Sequence, residues 1–85
     1  MFFIEGKKVF IRTVTNYFTG VIRSIDDSGI VLGQAAWIAD TGRFADTLAQ
    51  GTLSEVEPYP GDVYVARAAI VDACEWTHDL PRTQK

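Results

Sequence analysis

Apolar β-branched and aromatic residues fill three short runs in the first half of the chain, and turn-forming residues separate these runs. Residues 8–14, 17–25 and 30–38 each predict a β-strand, because such side chains favour extended backbone. Residues 26–29 (DDSG) predict a tight turn between the second and third strands, with Gly29 available for a positive φ angle. Since the connections are short, we expect the three strands to form an antiparallel meander.

Gly20 lies in the middle of the second predicted strand. Glycine weakens a flat strand, so it usually marks a bulge or a sharp bend at a barrel corner. A strongly bent second strand is also how a small five-stranded barrel closes. The alternative is that Gly20 only makes room for a neighbouring side chain.

The segment after the third strand has a different periodicity. Asp40 or Thr41 can cap a helix, and Phe44 and Leu48 lie four residues apart. Gly51 stands where such a helix would end. These features predict a short helix or another ordered excursion.

The rest of the chain returns to strand character and ends in a polar tail. Residues 52–61 contain two prolines and predict a connecting segment. Residues 62–76 are too long for one typical strand, so they predict two strands joined by a tight turn near Ala68. Residues 77–85 are polar and are expected to fray.

Length, cysteine content and charge narrow the classes of function. A chain of 85 residues makes one domain, and it buries only about 60–65% of its unfolded surface, so subunit association is a common means of stabilising it. The single cysteine and single histidine cannot form a disulfide or a His/Cys metal site within one subunit. We expect no cofactor, no metal, no membrane segment and a cytoplasmic location. The net charge of −3 argues against a sequence-independent nucleic-acid binder, which usually carries a basic excess.

Two stretches resemble the motifs of the Sm/LSm family, which includes bacterial Hfq. Residues 18–32 are similar to the first motif, in which a glycine is followed six positions later by an aspartate, then by a turn and an apolar run ending in leucine. Gly20, Asp26 and Leu32 occupy those positions. Residues 65–71 resemble the second motif, a basic residue followed by a small one between two strands.

The resemblance implies an all-β fold. We expect a small five-stranded, strongly bent antiparallel Sm-like (SH3-like) barrel, with one short helix after the third strand. Residues 1–76 would form this single domain, and residues 77–85 would be its polar tail. The resemblance also implies a homo-oligomeric ring of about five to seven subunits.

The candidate nucleic-acid-binding residues implied by the resemblance are Arg67, Asp26, Gly29 and Ala68. Gly29 stands where Sm proteins have an asparagine that reads the base, and Ala68 stands where Hfq has a histidine. Two side chains that would hydrogen-bond and stack a base are therefore missing, and base stacking is worth about 1–3 kcal/mol. We expect a divergent, or phage-encoded, member with at most weak RNA binding.

Arg67 has two compatible interpretations. In the family, this position points toward the pore, where one arginine per subunit makes a collar of positive charge. Arg67 could instead bond to a neighbouring carboxylate such as Asp26 or Asp72.

Other pairs of reactive side chains favour structural roles. Asp26 and Asp27 are adjacent in a turn, whereas paired catalytic carboxylates face each other across a cleft. Cys74 and His78 are four residues apart, but Cys74 is predicted to end a strand, so a packed cysteine and a surface histidine are expected. We predict that the protein is not an enzyme.

Assembly is expected from the sheet edges as well. An open five-stranded barrel leaves two edges that must be blunted or paired, and Ala66 and residues 68–73 offer little charge or proline for blunting. Pairing the fourth strand with the fifth strand of the next subunit satisfies both edges head to tail. The expected interface residues are Val65, Arg67, Ala69, Ile70, Val71 and Trp37.

A second hypothesis is a monomeric or dimeric SH3-like adaptor that binds a peptide or another protein. It would use exposed aromatic residues as a groove. Trp37, Phe44 and Trp76 are candidates for such an interface or for the core. If the protein does bind RNA well, Tyr17, Phe44 and Tyr64 are the first aromatic residues to test.

Overall fold

The structure is a computed structural model, and it describes residues 2–85. Residues 2–85 fold into six β-strands, one α-helix and one 3₁₀ turn. Their bounds are β1 (Lys8–Thr13), β2 (Tyr17–Ile25), β3 (Gly29–Asp40), α1 (Phe44–Gln50), β4 (Glu55–Pro58), β5 (Val63–Ala66), the 3₁₀ turn (Arg67–Ala69) and β6 (Ile70–Glu75).

The strands form one antiparallel sheet in the order β4-β3-β2-β1-β6, and β5 also pairs with β3. On the side away from β2, the long strand β3 pairs with two further strands, one along each of its halves. Residues 29–32 pair with β5, and residues 36–40 pair with β4. The predicted meander of the first three strands is confirmed, as is the pair of strands joined by a turn at Ala68.

A β-bulge at Gly20 separates the two halves of β3. Thr19 pairs with Ala36 and Val21 pairs with Gly33. Between these two pairs β3 advances by three residues and β2 by two, so β3 contains one extra residue. Gln34, in the bulge, has a φ of 48°. A Cβ on Gly20 would lie 3.0 Å from Leu32 Cβ. The predicted bulge is therefore confirmed, and the lack of a side chain also makes room for Leu32.

Two hydrophobic clusters lie on opposite faces of the sheet, because consecutive strand residues point to opposite faces. Val9 and Ile11 belong to the first cluster, and Phe10, between them, belongs to the second. The first cluster is completed by Ile22, Ile30, Leu32, Ala35 and Val65. The second is completed by Ala36, Ile38, Leu53, Val56 and Trp76.

The expectation of five strands was wrong, because residues 55–58 form β4 within the segment predicted to be a connection. Val56 is buried in the second cluster, and this tertiary contact outweighs the two nearby prolines. Pro58 is tolerated because it ends a strand at the edge of the sheet.

The predicted helix is confirmed as α1, but its capping differs. Arg43 is the N-cap and makes no side-chain capping bond. The carboxylate of Asp40 instead accepts the N–H of Gly42, within the turn before the helix. Gly51 ends the helix in the left-handed conformation with φ 76°, as predicted. Thr47 is the buried residue of the helix, whereas the apolar pair that suggested it is exposed.

The C-terminal tail does not fray. Lys85 exchanges two backbone hydrogen bonds with Val56 of β4. The Arg82 guanidinium donates to the carbonyl oxygens of Ala35 and Tyr59, each over 3.1 Å. These bonds hold residues 82–85 against β3, β4 and the residue that follows β4. No helix within residues 2–85 is long and apolar enough to cross a membrane.

Candidate functional site

The turn between β2 and β3 is organised by the Asp26 carboxylate. One carboxylate oxygen of Asp26 accepts the backbone N–H groups of Ser28 at 2.7 Å and Gly29 at 2.8 Å. These two bonds favour the charged carboxylate, so they hold the pKa of Asp26 below its ordinary value. The structural role expected of Asp26 is therefore the ordering of its own turn.

Gly29 is required by a close approach and not by its backbone angle. Its φ is not positive, so that prediction was wrong. A Cβ on Gly29 would lie 2.5 Å from the carbonyl oxygen of Val65 and 2.6 Å from the Tyr64 ring. The absence of a side chain lets β5 and the Tyr64 ring pack directly over the turn.

Tyr64 and Arg67 join the turn to the 3₁₀ turn. The Tyr64 hydroxyl donates to the Asp26 carboxylate over 3.1 Å, and burial and this bond raise the pKa of Tyr64. The Arg67 guanidinium donates to the backbone carbonyl of Asp26 over 3.3 Å. The backbone N–H of Arg67 donates to the Ser28 carbonyl over 2.7 Å. The structure thus brings three of the four predicted nucleic-acid residues together, and Ala68 follows them, exposed, in the 3₁₀ turn.

The second interpretation of Arg67 is corrected by these contacts. Its guanidinium bonds a carbonyl oxygen of Asp26, not a carboxylate. Asp72 is instead paired with Arg12 on the neighbouring strand β1, and this ion pair lowers the pKa of Asp72. Arg67 remains exposed and has N–H groups free for a ligand. Tyr64, which is 49% exposed, adds an aromatic ring to this site.

Electrostatics limit what this site can bind. The Asp26 carboxylate lies within the same cluster as Arg67 and carries a negative charge at neutral pH. It would repel a phosphate that approached Arg67. The cluster therefore offers one cation, one ring and one carboxylate per subunit, which suits a weak contact better than a tight anion site.

Most of the predicted interface residues lie on or next to β5 and β6, and Trp37 lies elsewhere, on β3. Val65 and Ala69 line an open cavity of about 350 Å³ beside the β1–β2 turn. Val71 is the extra residue of a bulge in β6, opposite Arg12 and Thr13, and it is 53% exposed. Ile70 is half-buried and packs on the first cluster. Trp37 is apart from these residues, in a separate cavity.

The outer edges of β5 and β6 lack backbone partners within residues 2–85. β5 pairs only with β3, and β6 pairs only with β1. The two acidic side chains of β6 are both held in ion pairs: Asp72 pairs with Arg12 on β1, and Glu75 pairs with Lys7, just before β1. Neither strand contains a proline.

Trp37 lies on the half of β3 that pairs with β4. It lines an open cavity of about 340 Å³ together with Glu57, Pro58 and Tyr59. The sequence marked Trp37 as a binding residue but gave no indication of its neighbours, since β4 was not predicted.

The Cys74–His78 pair is not assembled. Burial, and to a lesser extent Asp72, raise the pKa of Cys74, which disfavours the reactive thiolate. The His78 ring lies 2.9 Å from the carbonyl oxygen of Leu48, on α1. Within residues 2–85, no three His, Cys, Asp or Glu side chains cluster in a way that could hold a metal ion.

No protein-family model, curated protein or solved structure matches the chain. The assignment of function therefore rests on the residues and contacts described above.

Proposed function

We propose that this chain is an Sm-like barrel whose copies assemble head to tail into a cytoplasmic ring of about five to seven subunits. The ring would act as a scaffold and not as an enzyme. The observation that carries the proposal is the pair of unpaired strand edges, β5 and β6, at the two ends of the strand path β6-β1-β2-β3-β5.

The strand order supports the barrel. β5 and β6 are sequence neighbours joined by three residues, although they pair with strands at opposite ends of the path. Such a connection brings the two ends of a curved sheet together around the first cluster, which contains residues from β1, β2, β3 and β5. In this proposal β4 is an addition to the five-stranded barrel.

The chemistry of the two edges supports pairing between subunits. Exposed edges are normally blunted by charge, proline or a covering segment. On β6 the acidic side chains are held in ion pairs with Arg12 of β1 and with Lys7 just before it, and the bulged Val71 projects apolar surface. Beside β5 an apolar cavity contains Val65 and Ala69. A neighbouring subunit that adds β6 to β5 would pair the free backbone groups and cover this apolar surface.

RNA is a secondary ligand in this proposal. Each subunit would contribute Arg67, so the ring would carry about five to seven arginines on one face. The acidic net charge and the adjacent Asp26 keep the expected affinity low.

Two edge variants test the head-to-tail arrangement. Ala66→Asp places a charge on β5 and Val71→Asp places one on β6, and both positions are exposed, so neither should unfold the chain. We expect each variant alone to sediment as a single chain, because each has lost one edge. A mixture of the two should form a dimer, since each variant keeps the edge that the other needs.

Leu48→Asp on α1 is the matched control, because it adds the same charge at an exposed apolar residue outside both edges. It should leave the assembly intact. A mixture that stays monomeric, or an assembly that survives both edge variants, would contradict pairing between β5 and β6.

A further inference from the structure

The Trp37 indole and the Glu57 carboxylate lie side by side where β3 pairs with the edge strand β4. Trp37 and Glu57 are directly paired across β3 and β4. Directly opposite residues point to the same face, with Cβ atoms about 4.5–5.5 Å apart. Together with Pro58 and Tyr59, they line the open cavity of about 340 Å³. We name these four residues the Trp37 cup.

The two principal side chains of the cup have no partner within residues 2–85. Trp37 is 36% exposed, and its indole N–H makes no hydrogen bond to any residue of the described range 2–85. By contrast, Trp76 is 3% exposed and donates to the Asp79 carbonyl. The Glu57 carboxylate is exposed and makes no ion pair with the residues that the structure describes. The partly exposed Trp37 ring and the exposed Glu57 carboxylate are therefore both accessible to a ligand.

The walls of the cup are fixed by the rest of the fold. Tyr59 stacks on Phe18 with ring centroids 6.2 Å apart, and its N–H donates to the Ala35 carbonyl over 2.8 Å. Arg82 donates to the carbonyls of Ala35 and Tyr59. Arg82 is thus engaged with backbone and leaves Glu57 unpaired. A site held in this way loses little freedom when a ligand binds.

An aromatic face beside a carboxylate suits a cation. A guanidinium or ammonium group within about 6 Å of an indole face is attracted by the ring, and a neighbouring carboxylate adds an ion pair. The cup contains no cationic side chain to compete for this position, and the chain is acidic overall. The same charges exclude a phosphate ligand.

We propose that the Trp37 cup binds an arginine or lysine side chain presented by a partner protein. The cation lies against the Trp37 indole and pairs with the Glu57 carboxylate. Neither residue belongs to β5 or β6, so this site is separate from the proposed ring contact.

Nuclear magnetic resonance can test the site through the two tryptophan indole N–H signals of the full chain. The probe is the peptide Ac-Gly-Arg-Gly-NH₂, and its citrulline analogue has nearly the same shape without the charge. We expect the arginine peptide to move the Trp37 signal in a saturable way and to leave the buried Trp76 signal unmoved. The citrulline peptide should move neither signal.

The matched variants are Glu57→Gln in the cup and Glu55→Gln on the same strand outside it. Glu57→Gln should weaken binding of the arginine peptide about two- to fivefold, which is the effect of losing an exposed ion pair. Glu55→Gln should leave the binding of this peptide unchanged. Equal responses to arginine and citrulline, or equal effects of the two variants, would overturn the proposal. A Trp37 shift that follows protein concentration without peptide would assign the cup to a second copy of this chain, and would also overturn it.

Discussion

The Tyr64 hydroxyl donates a hydrogen bond to the Asp26 carboxylate over 3.1 Å, and so ties β5 to the turn between β2 and β3. The same carboxylate accepts two backbone N–H groups of its own turn. The Asp26 side chain therefore holds β5 against the turn between β2 and β3, next to the Arg67 side chain that the proposed ring would present.

This arrangement predicts a pH-dependent role for Asp26. The pKa of Asp26 is lowered in the folded chain, so its stabilising effect is present above its ordinary pKa of about 4 and is lost as the pH falls through the lowered value. We expect Asp26→Asn to lower the urea midpoint at pH 7, and we expect the gap to wild type to shrink below pH about 4. Asp27→Asn, in the same exposed turn, is the control and should match wild type throughout. A gap that stays constant down to pH about 2.5 would contradict a charge effect.

Gly20 should not tolerate a side chain. A Cβ there would lie 3.0 Å from Leu32 Cβ and 3.2 Å from the Gly33 carbonyl oxygen, both in the packed region of the bulge. Gly20→Val should destabilise the chain by more than about 2 kcal/mol in urea unfolding, as an overpacked core does. Gly61→Val is the control, since a Cβ at Gly61 has no neighbour within 4 Å. Similar urea midpoints for the two variants would contradict the bulge packing.

Thr19 carries the buried hydroxyl that lacks a hydrogen-bond partner within residues 2–85. A buried unsatisfied hydroxyl costs about 1–3 kcal/mol, so Thr19→Val, which keeps the shape, should raise the thermal midpoint. Thr47→Val is the contrast, because the Thr47 hydroxyl lies within hydrogen-bond distance of the carbonyls of Thr41 and Thr52. That variant should lower the midpoint. A lower midpoint for Thr19→Val would show that its hydroxyl has a partner, such as a bound water.

The sequence predicted the parts of the fold that depend on local residue preferences. Gly20 correctly predicted the bulge, and Gly51 correctly predicted the end of the helix. β4 was missed because Pro58 and Pro60 suggested a loop. The strand is stabilised instead by burial of Val56 and by two backbone hydrogen bonds between Val56 and Lys85, at the far end of the chain.

The candidate site was predictable only in part, for a similar reason. The resemblance to the Sm/LSm motifs led to Asp26, Gly29 and Arg67, which do meet. The role of Tyr64 depends on a contact between residues 38 positions apart, and nothing in the local pattern signals it. The Trp37 cup depends on β4 and could not be assembled before that strand was known.

RNA binding should be weak and should depend on Arg67. We expect labelled oligouridine and oligoadenine to bind no more tightly than about 10⁻⁴–10⁻⁶ M, with affinity falling steeply as salt is added. Arg67→Ala should abolish this binding in fluorescence anisotropy. Arg43→Ala, before α1, removes the same charge elsewhere and should have little effect. Salt-resistant, sub-micromolar affinity for one sequence would indicate a base pocket built from other residues, with Tyr64 the first to test.

The mass of the native assembly tests the central claim most directly. Native mass spectrometry at micromolar chain concentration should give one closed species with a mass about five to seven times that of the 9.4 kDa chain. Further dilution to the nanomolar range should release single chains without an extended ladder of intermediates. A species that keeps the mass of one or two chains at high concentration would contradict the ring and would favour the SH3-like adaptor instead.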